Sequence, residues 1–216
     1  VKRARFHSFA WAYLAYLIFV ILFGAFVRIS GSGDGCGANW PDCHGEMWML
    51  PDNISTAIEY THRQTSGLAL PFGLVLLFLA WKRFDTGHFV RRGMLASIFF
   101  LLVEALIGAR LVLLELVGLN DSWPRAYWMA AHLTSTYILT AATAIVVFAS
   151  TPTASLPASQ EGRAKAKAWL IAGLIVLYLI GATGAITALG DTLYPVEQLN
   201  ALDATLRQKL EADQAS

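Results

Sequence analysis

Charge along this chain falls into gaps, and the gaps decide what it can fold into. Residues 9–27 carry no charged side chain. At about 1.5 Å per residue, a helix of that length reaches across roughly 30 Å of hydrocarbon. Four more apolar stretches follow at 65–81, 93–117, 127–149 and 168–189. The pattern predicts an all-α membrane protein with five transmembrane helices. The first stretch is too long, and too poor in small residues at its end, for a removable signal peptide.

Composition agrees where it bears on the argument. Only 14% of the 216 residues are charged and 56% are hydrophobic, with mean hydropathy +0.52. Soluble domains carry about a quarter charged residues. The balance excludes a disordered chain, a disulfide-rich secreted domain and a basic nucleic-acid binder. A net charge of +1 offers no field for polyanions, so no nucleic-acid partner is expected.

Orientation follows from Lys and Arg. Lys2, Arg3 and Arg5 precede the first span; Lys82, Arg83, Arg91 and Arg92 join the second to the third; Arg163, Lys165 and Lys167 join the fourth to the fifth. The opposite loops hold Asp34, Asp42, Glu46, Asp52 and Asp121. By the positive-inside rule the N-terminus is cytoplasmic, as in a multi-pass protein of a bacterial inner membrane. The loop 29–58 then faces outward.

That loop holds both cysteines, Cys36 and Cys43. On the oxidising side of the membrane a disulfide between them is the leading reading. It is either a staple or a redox-active pair, and neither thiol has an obvious basic activator. Cys43-His44 is not a c-type haem attachment site, which needs Cys-x-x-Cys-His. The glycines of 31–45 are not a phosphate loop, since no Gly-Lys-Ser/Thr follows.

Beyond the loop, Glu59, His62 and Arg63 stand at i, i+3 and i+4, on one helical face. His132 lies early in the fourth span. Spans two and four run in the same direction, so the two imidazoles reach similar depths. Two imidazoles from neighbouring helices of a bundle are a recurrent clamp for a haem iron. The alternative is that each caps a helix or meets headgroups. Arg28, Arg63, Arg110 and Arg125 mark the same boundary, either snorkelling to headgroups or holding carboxylates such as haem propionates. Glu104, within the third span, is expected to be protonated or hydrogen-bonded inside the bundle; no partner for a proton relay is visible.

The end of the first span repeats. Residues 24–34 and 181–191, offset by 157, share five of eleven positions (Gly, Ala, Ile, Gly, Asp), and Ser30 meets Thr187. Residue 185, opposite Arg28, is Ala. The fifth span therefore reads as a second copy of the first. The counterparts of Glu59 and His62 fall at and just past the last residue. The organisation expected is a four-helix bundle over 1–149, a cytoplasmic linker over 150–167 and a first helix of a second repeat over 168–190. An extracytoplasmic amphipathic tail follows over 191–216, with apolar residues at 196, 199, 202, 206 and 210.

Taken in order, Gly24-x-x-Val-Arg28-x-Ser-Gly-Ser-Gly33, Trp40-Pro-x-Cys43-x-Gly45, Glu59-x-x-His62-Arg63 and the early His132 resemble the haem A synthase family of cytochrome oxidase assembly. The resemblance implies two similar four-helix halves and the conversion of haem O to haem A, a porphyrin methyl group being oxidised to a formyl. It implies that Glu59 is the family's essential acid and that His62 and His132 are the haem-iron ligands of the substrate-binding half. It matches Cys36 and Cys43 to the family's outer-loop cysteine pair. Arg28, Arg63 and Arg110 would then face haem carboxylates. A b-type haem belongs to the second half, so this chain reads as a fragment or as a half-size protein that pairs with another copy. Expected partners are haem O, the haem O synthase, oxidase assembly factors and membrane lipid. Two other functions stay open: a non-catalytic haem-binding or b-type electron-transfer protein, and a thiol oxidoreductase, which lacks the second dithiol it would need.

Overall fold

The structure is a computed structural model that describes residues 2–118, 120, 122–151, 164, 167–169, 171–176, 178–181, 183 and 184. Its frame is four long helices: α1 (Lys2–Ile29), α2 (Ile54–Arg83), α3 (Phe89–Leu113) and α4 (Trp123–Ser150). All four are long and apolar enough to cross a membrane. Their large apolar side chains face outward, as Leu22 at 65% and Leu106 at 66% exposure illustrate. In water such a surface would aggregate; in lipid it is the solvated face. The chain is an all-α membrane protein, and the described residues contain no strand.

The helices outrun the apolar stretches that announce them. The 30 residues of α2 span about 45 Å, well beyond the roughly 30 Å of hydrocarbon. Its first turns, 54–64, are polar and were not part of the expected 65–81 span. Asn53 starts the helix by accepting the Thr56 N–H at 2.9 Å. Helix α3 stops at Leu113 rather than 117. Glu115 (φ 52°) and Gly118 (φ 58°) take left-handed conformations there, which break a helix. A Cβ at Gly118 would lie 2.6 Å from Asp34 Oδ2, so only glycine lets the 30–53 loop meet the α3–α4 turn. Of the fifth expected span, a shorter apolar helix over Lys167–Gly181 is seen. Apart from Thr183 and Gly184, the remainder of that span, most of the expected linker and all of the tail over 191–216 lie outside the described residues.

The helices close a ring in which α1 packs on α2, α2 on α3, α3 on α4 and α4 on α1. This places α2 and α4 across a diagonal. Small residues allow close approach: a Cβ at Gly93 of α3 would fall 2.7 Å from Val146 of α4. The aliphatic core is concentrated at the end remote from the 30–53 loop. Phe6, Ala10, Tyr13, Leu14 and Leu17 of α1 meet Ala69, Leu76, Leu77 and Ala80 of α2, with Met94, Leu139 and Val146 from α3 and α4. A second, smaller cluster of Ile107, Leu111 and Leu116 closes the loop end. Glu104 and His132 stand where the two clusters meet, Glu104 next in the chain to Val103 of the second cluster and His132 within one turn of its Trp128 and Met129.

Candidate haem-binding site

The loop end is a collar built on α2. Cys36 and Cys43 form a disulfide, with Cα atoms 4.6 Å apart, and both are fully buried. Glu59 Oε2 accepts the Cys36 N–H at 2.8 Å. Its Oε1 accepts Arg63 Nε at 3.0 Å and also Arg63 Nη2. Arg63 Nη1 donates to the Asn39 carbonyl at 2.6 Å and the Asp42 carbonyl at 2.5 Å. Four of the five guanidinium N–H groups are thereby engaged. Thr56 Oγ1 donates to the Gly35 carbonyl at 2.6 Å. A Cβ at Gly35 would sit 2.6 Å from the Ser55 backbone, so the loop can lie this close only with glycine there. The i, i+4 spacing of Glu59 and Arg63 thus serves first to strap the disulfide loop onto the helix.

Less than one helical turn deeper than Glu59 the character changes. His62 Nδ1 is buried with no hydrogen-bond partner. The ring packs edge-on against Phe23, centroids 5.6 Å apart. Gly24 of α1 faces it, and a Cβ there would lie 3.0 Å from Cε1 and 3.2 Å from Nε2. The glycine is what leaves room for the imidazole. From α4, His132 comes within electrostatic reach of His62. The two imidazoles do not sit on neighbouring helices, as the sequence suggested, but on the opposed pair α2 and α4.

The sequence reading left Glu104 without a partner, and the structure supplies one. Glu104 Oε2 lies 2.8 Å from His132 Nδ1, off the line of a hydrogen bond. Thr136 Oγ1 donates to the same carboxylate oxygen at 3.0 Å. A signal was present. Glu104 lies nine residues before Leu113, the end of α3, and His132 nine after Trp123, the start of α4. Counting from the loop end puts both at one depth, where counting from the apolar stretches put Glu104 mid-membrane.

Of the six buried polar side-chain atoms without a partner among the described residues, three belong to His62, Glu104 and His132. Buried polar atoms are nearly always bonded, so such a concentration marks space for a ligand. Two imidazoles and a cradle that a Cβ would fill suit a haem iron between α2 and α4. The arginines divide. Arg63 is committed to the collar. Arg28 is exposed at the last turn of α1. Arg110 lies over the Trp128 ring, 5.5 Å from its centroid.

Comparison with known proteins bears on this site. The family model described as cytochrome oxidase assembly protein matches residues 7–57 and 52–213. A protein of Thermus thermophilus named protoheme IX farnesyltransferase is 41% identical over 204 residues, 94% of this chain and 33% of that protein. The heme A synthase of Staphylococcus haemolyticus is 48% identical over 99 residues, 45% of this chain and 32% of that protein. That of Staphylococcus saprophyticus is 42% identical over 118 residues, 54% and 36% respectively. The chain spans about a third of the length of these curated relatives.

Proposed function

The chain belongs to the family of cytochrome oxidase assembly proteins, and on that premise we propose that its bundle is the substrate-binding unit of a haem A synthase. The observation that carries the proposal is the pair of imidazoles, His62 and His132, at matched depth on the opposed helices α2 and α4. They hold the iron of haem O. Gly24 and Phe23 shape the wall behind His62. The farnesyl tail lies along the apolar helices, and Arg28 and Arg110 at the loop end are placed for the propionates. The loop end is the extracytoplasmic face of a bacterial inner membrane, with the N-terminus in the cytoplasm.

Conversion of the methyl group to formyl, balanced against water, adds one oxygen atom and releases four protons and four electrons. The electrons leave to an acceptor outside the bundle. Glu59, the acid nearest His62 in sequence, is the proposed proton acceptor. Arg63 and the Cys36 N–H hold its two oxygens in place by hydrogen bonding. The haem O synthase and oxidase assembly factors are the proposed partners, and a second copy of the chain or a second four-helix half completes the electron path. The four-helix unit over 1–149 is the proposed functional domain.

A second reading is favoured by the Thermus relative, whose name is that of a farnesyltransferase. The matched stretch is a third of that protein, and it is the stretch that the assembly-protein model also covers. We therefore place oxidation before farnesyl transfer. The test is to express the chain with a haem O synthase, purify it, record its spectrum and extract the haem. Bound haem O that disappears with His62→Ala or His132→Ala supports the substrate site, and haem A in the extract supports the full activity. Production of haem O from protohaem without the partner synthase would establish the farnesyltransferase reading. A haem-binding chain that never yields haem A in a complete assembly would be a carrier or electron-transfer protein.

A further inference from the structure

We propose that Glu104 is the positioning residue of His132, and that it makes the two imidazoles of the site chemically unequal. The inference rests on the haem-site reading for its consequence, though not for its geometry. Glu104 Oε2 stands 2.8 Å from His132 Nδ1, close enough to accept its N–H once the ring turns onto the oxygen. The carboxylate cannot easily swing away. The Thr136 hydroxyl, one turn along α4 from His132, lies 3.0 Å from the same Oε2 and 2.9 Å from the His132 carbonyl, and its one proton serves one of them at a time. The Glu104 side chain is 12% exposed, and a carboxyl this enclosed in a membrane bundle needs a partner.

An acceptor at Nδ1 decides the tautomer. With its proton on Nδ1, the neutral His132 ring presents Nε2 as a lone pair to the space between α2 and α4. A carboxylate behind a ligating imidazole also raises its basicity and fixes the plane of the ring. Neither Nδ1 makes an aligned hydrogen bond, but among the described residues only that of His132 has a carboxylate within reach. The α4 side of the site is therefore the stronger, oriented donor, and the α2 side the weaker, neutral one. A bound iron porphyrin would be held more firmly from α4 than from α2, leaving the α2 ligand the one to yield first.

The test has two measurements. The first needs neither haem nor a variant: nitrogen NMR shifts of His132 in the detergent-purified, haem-free chain. The expected result is the Nδ1–H tautomer at His132. A dominant Nε2–H tautomer overturns the inference, whatever the site binds. The second is a redox titration of the haem-loaded chain and of Glu104→Gln, which keeps the shape and removes the charge. The midpoint potential is expected to rise in the variant, because a less basic imidazole stabilises ferric iron less. An unchanged potential at full haem content overturns the inference, as a packing role alone would leave the potential in place. If the tautomer is as expected but the chain binds no haem, the positioning stands and the haem reading falls.

Discussion

The collar and the imidazole layer lie within one helical turn of each other on α2, and they treat polar groups in opposite ways. In the collar both Glu59 oxygens are bonded, the Arg63 guanidinium is divided between a side chain and two carbonyls, and the disulfide is buried beneath them. In the layer, His62, Glu104 and His132 each leave a buried atom unpartnered. Saturation is what a structural fastening needs, because a half-satisfied buried network costs more than none. A layer whose imidazole Nδ1 atoms make no aligned hydrogen bond is not a fastening. The difference assigns architecture to one level and ligand binding to the next, although the sequence places both in one Glu-x-x-His-Arg motif.

The largest effect should come from the layer. His62→Ala or His132→Ala should abolish most bound haem while circular dichroism shows the helices intact. Retention of haem in both single variants would erase the distinction between the two levels. Next, Glu59→Ala should act through the collar. It strands the Arg63 guanidinium and the Cys36 N–H, and breaking one side of a buried pair costs about 3–5 kcal/mol. The expected readout is protease cleavage within the loop and a lower unfolding temperature. Glu59→Gln sharpens the comparison, because it keeps an acceptor for the Cys36 N–H. If it preserves the loop and haem binding yet stops turnover in a complete assembly, Glu59 serves both levels. If turnover survives, the acid is a fastening alone.

How much of this was legible in the sequence depends on what each residue type can reveal alone. The four long helices were legible because the membrane demands long uncharged stretches. Their ends were not: the polar turns of α2 are stabilised by a loop whose contacts no hydropathy pattern records. The pairing of Cys36 with Cys43 was legible from compartment, whereas the attachment of that loop through Glu59 and Arg63 needed coordinates. The matched depth of His62 and His132 was legible from the spans that carry them. Glu104 stands mid-membrane when depth is measured from the apolar stretch and level with His132 only when it is measured from the helix end, and nothing in the motif around Gly24 tells what the glycine faces. A glycine facing an imidazole is visible only when the facing helix is in place.

Two smaller perturbations separate the levels further. Replacing Cys36 and Cys43 with Ser removes a crosslink across seven positions. A short closed loop of this kind stabilises by about 2 kcal/mol, and less here, since Glu59, Arg63 and Thr56 hold the same loop. The unfolding temperature should fall while haem content stays near normal; loss of haem would show that the collar carries the layer.

Gly24→Ala is the finest probe, because it touches the layer and leaves the collar alone. Its new methyl would lie 3.0 Å from His62 Cε1. That contact is tighter than packing allows, and overpacking of this kind costs about 1 kcal/mol or more. The imidazole must shift toward the space between the helices or away from the iron. Haem affinity should drop by about five- to ten-fold, since 1.4 kcal/mol is ten-fold, with the loop's protease resistance unchanged. The ring has Phe23 on another side, so it has little freedom to absorb the methyl by rotation. An unchanged affinity would mean that His62 does not need the room Gly24 provides, and that the iron is held from α4 alone.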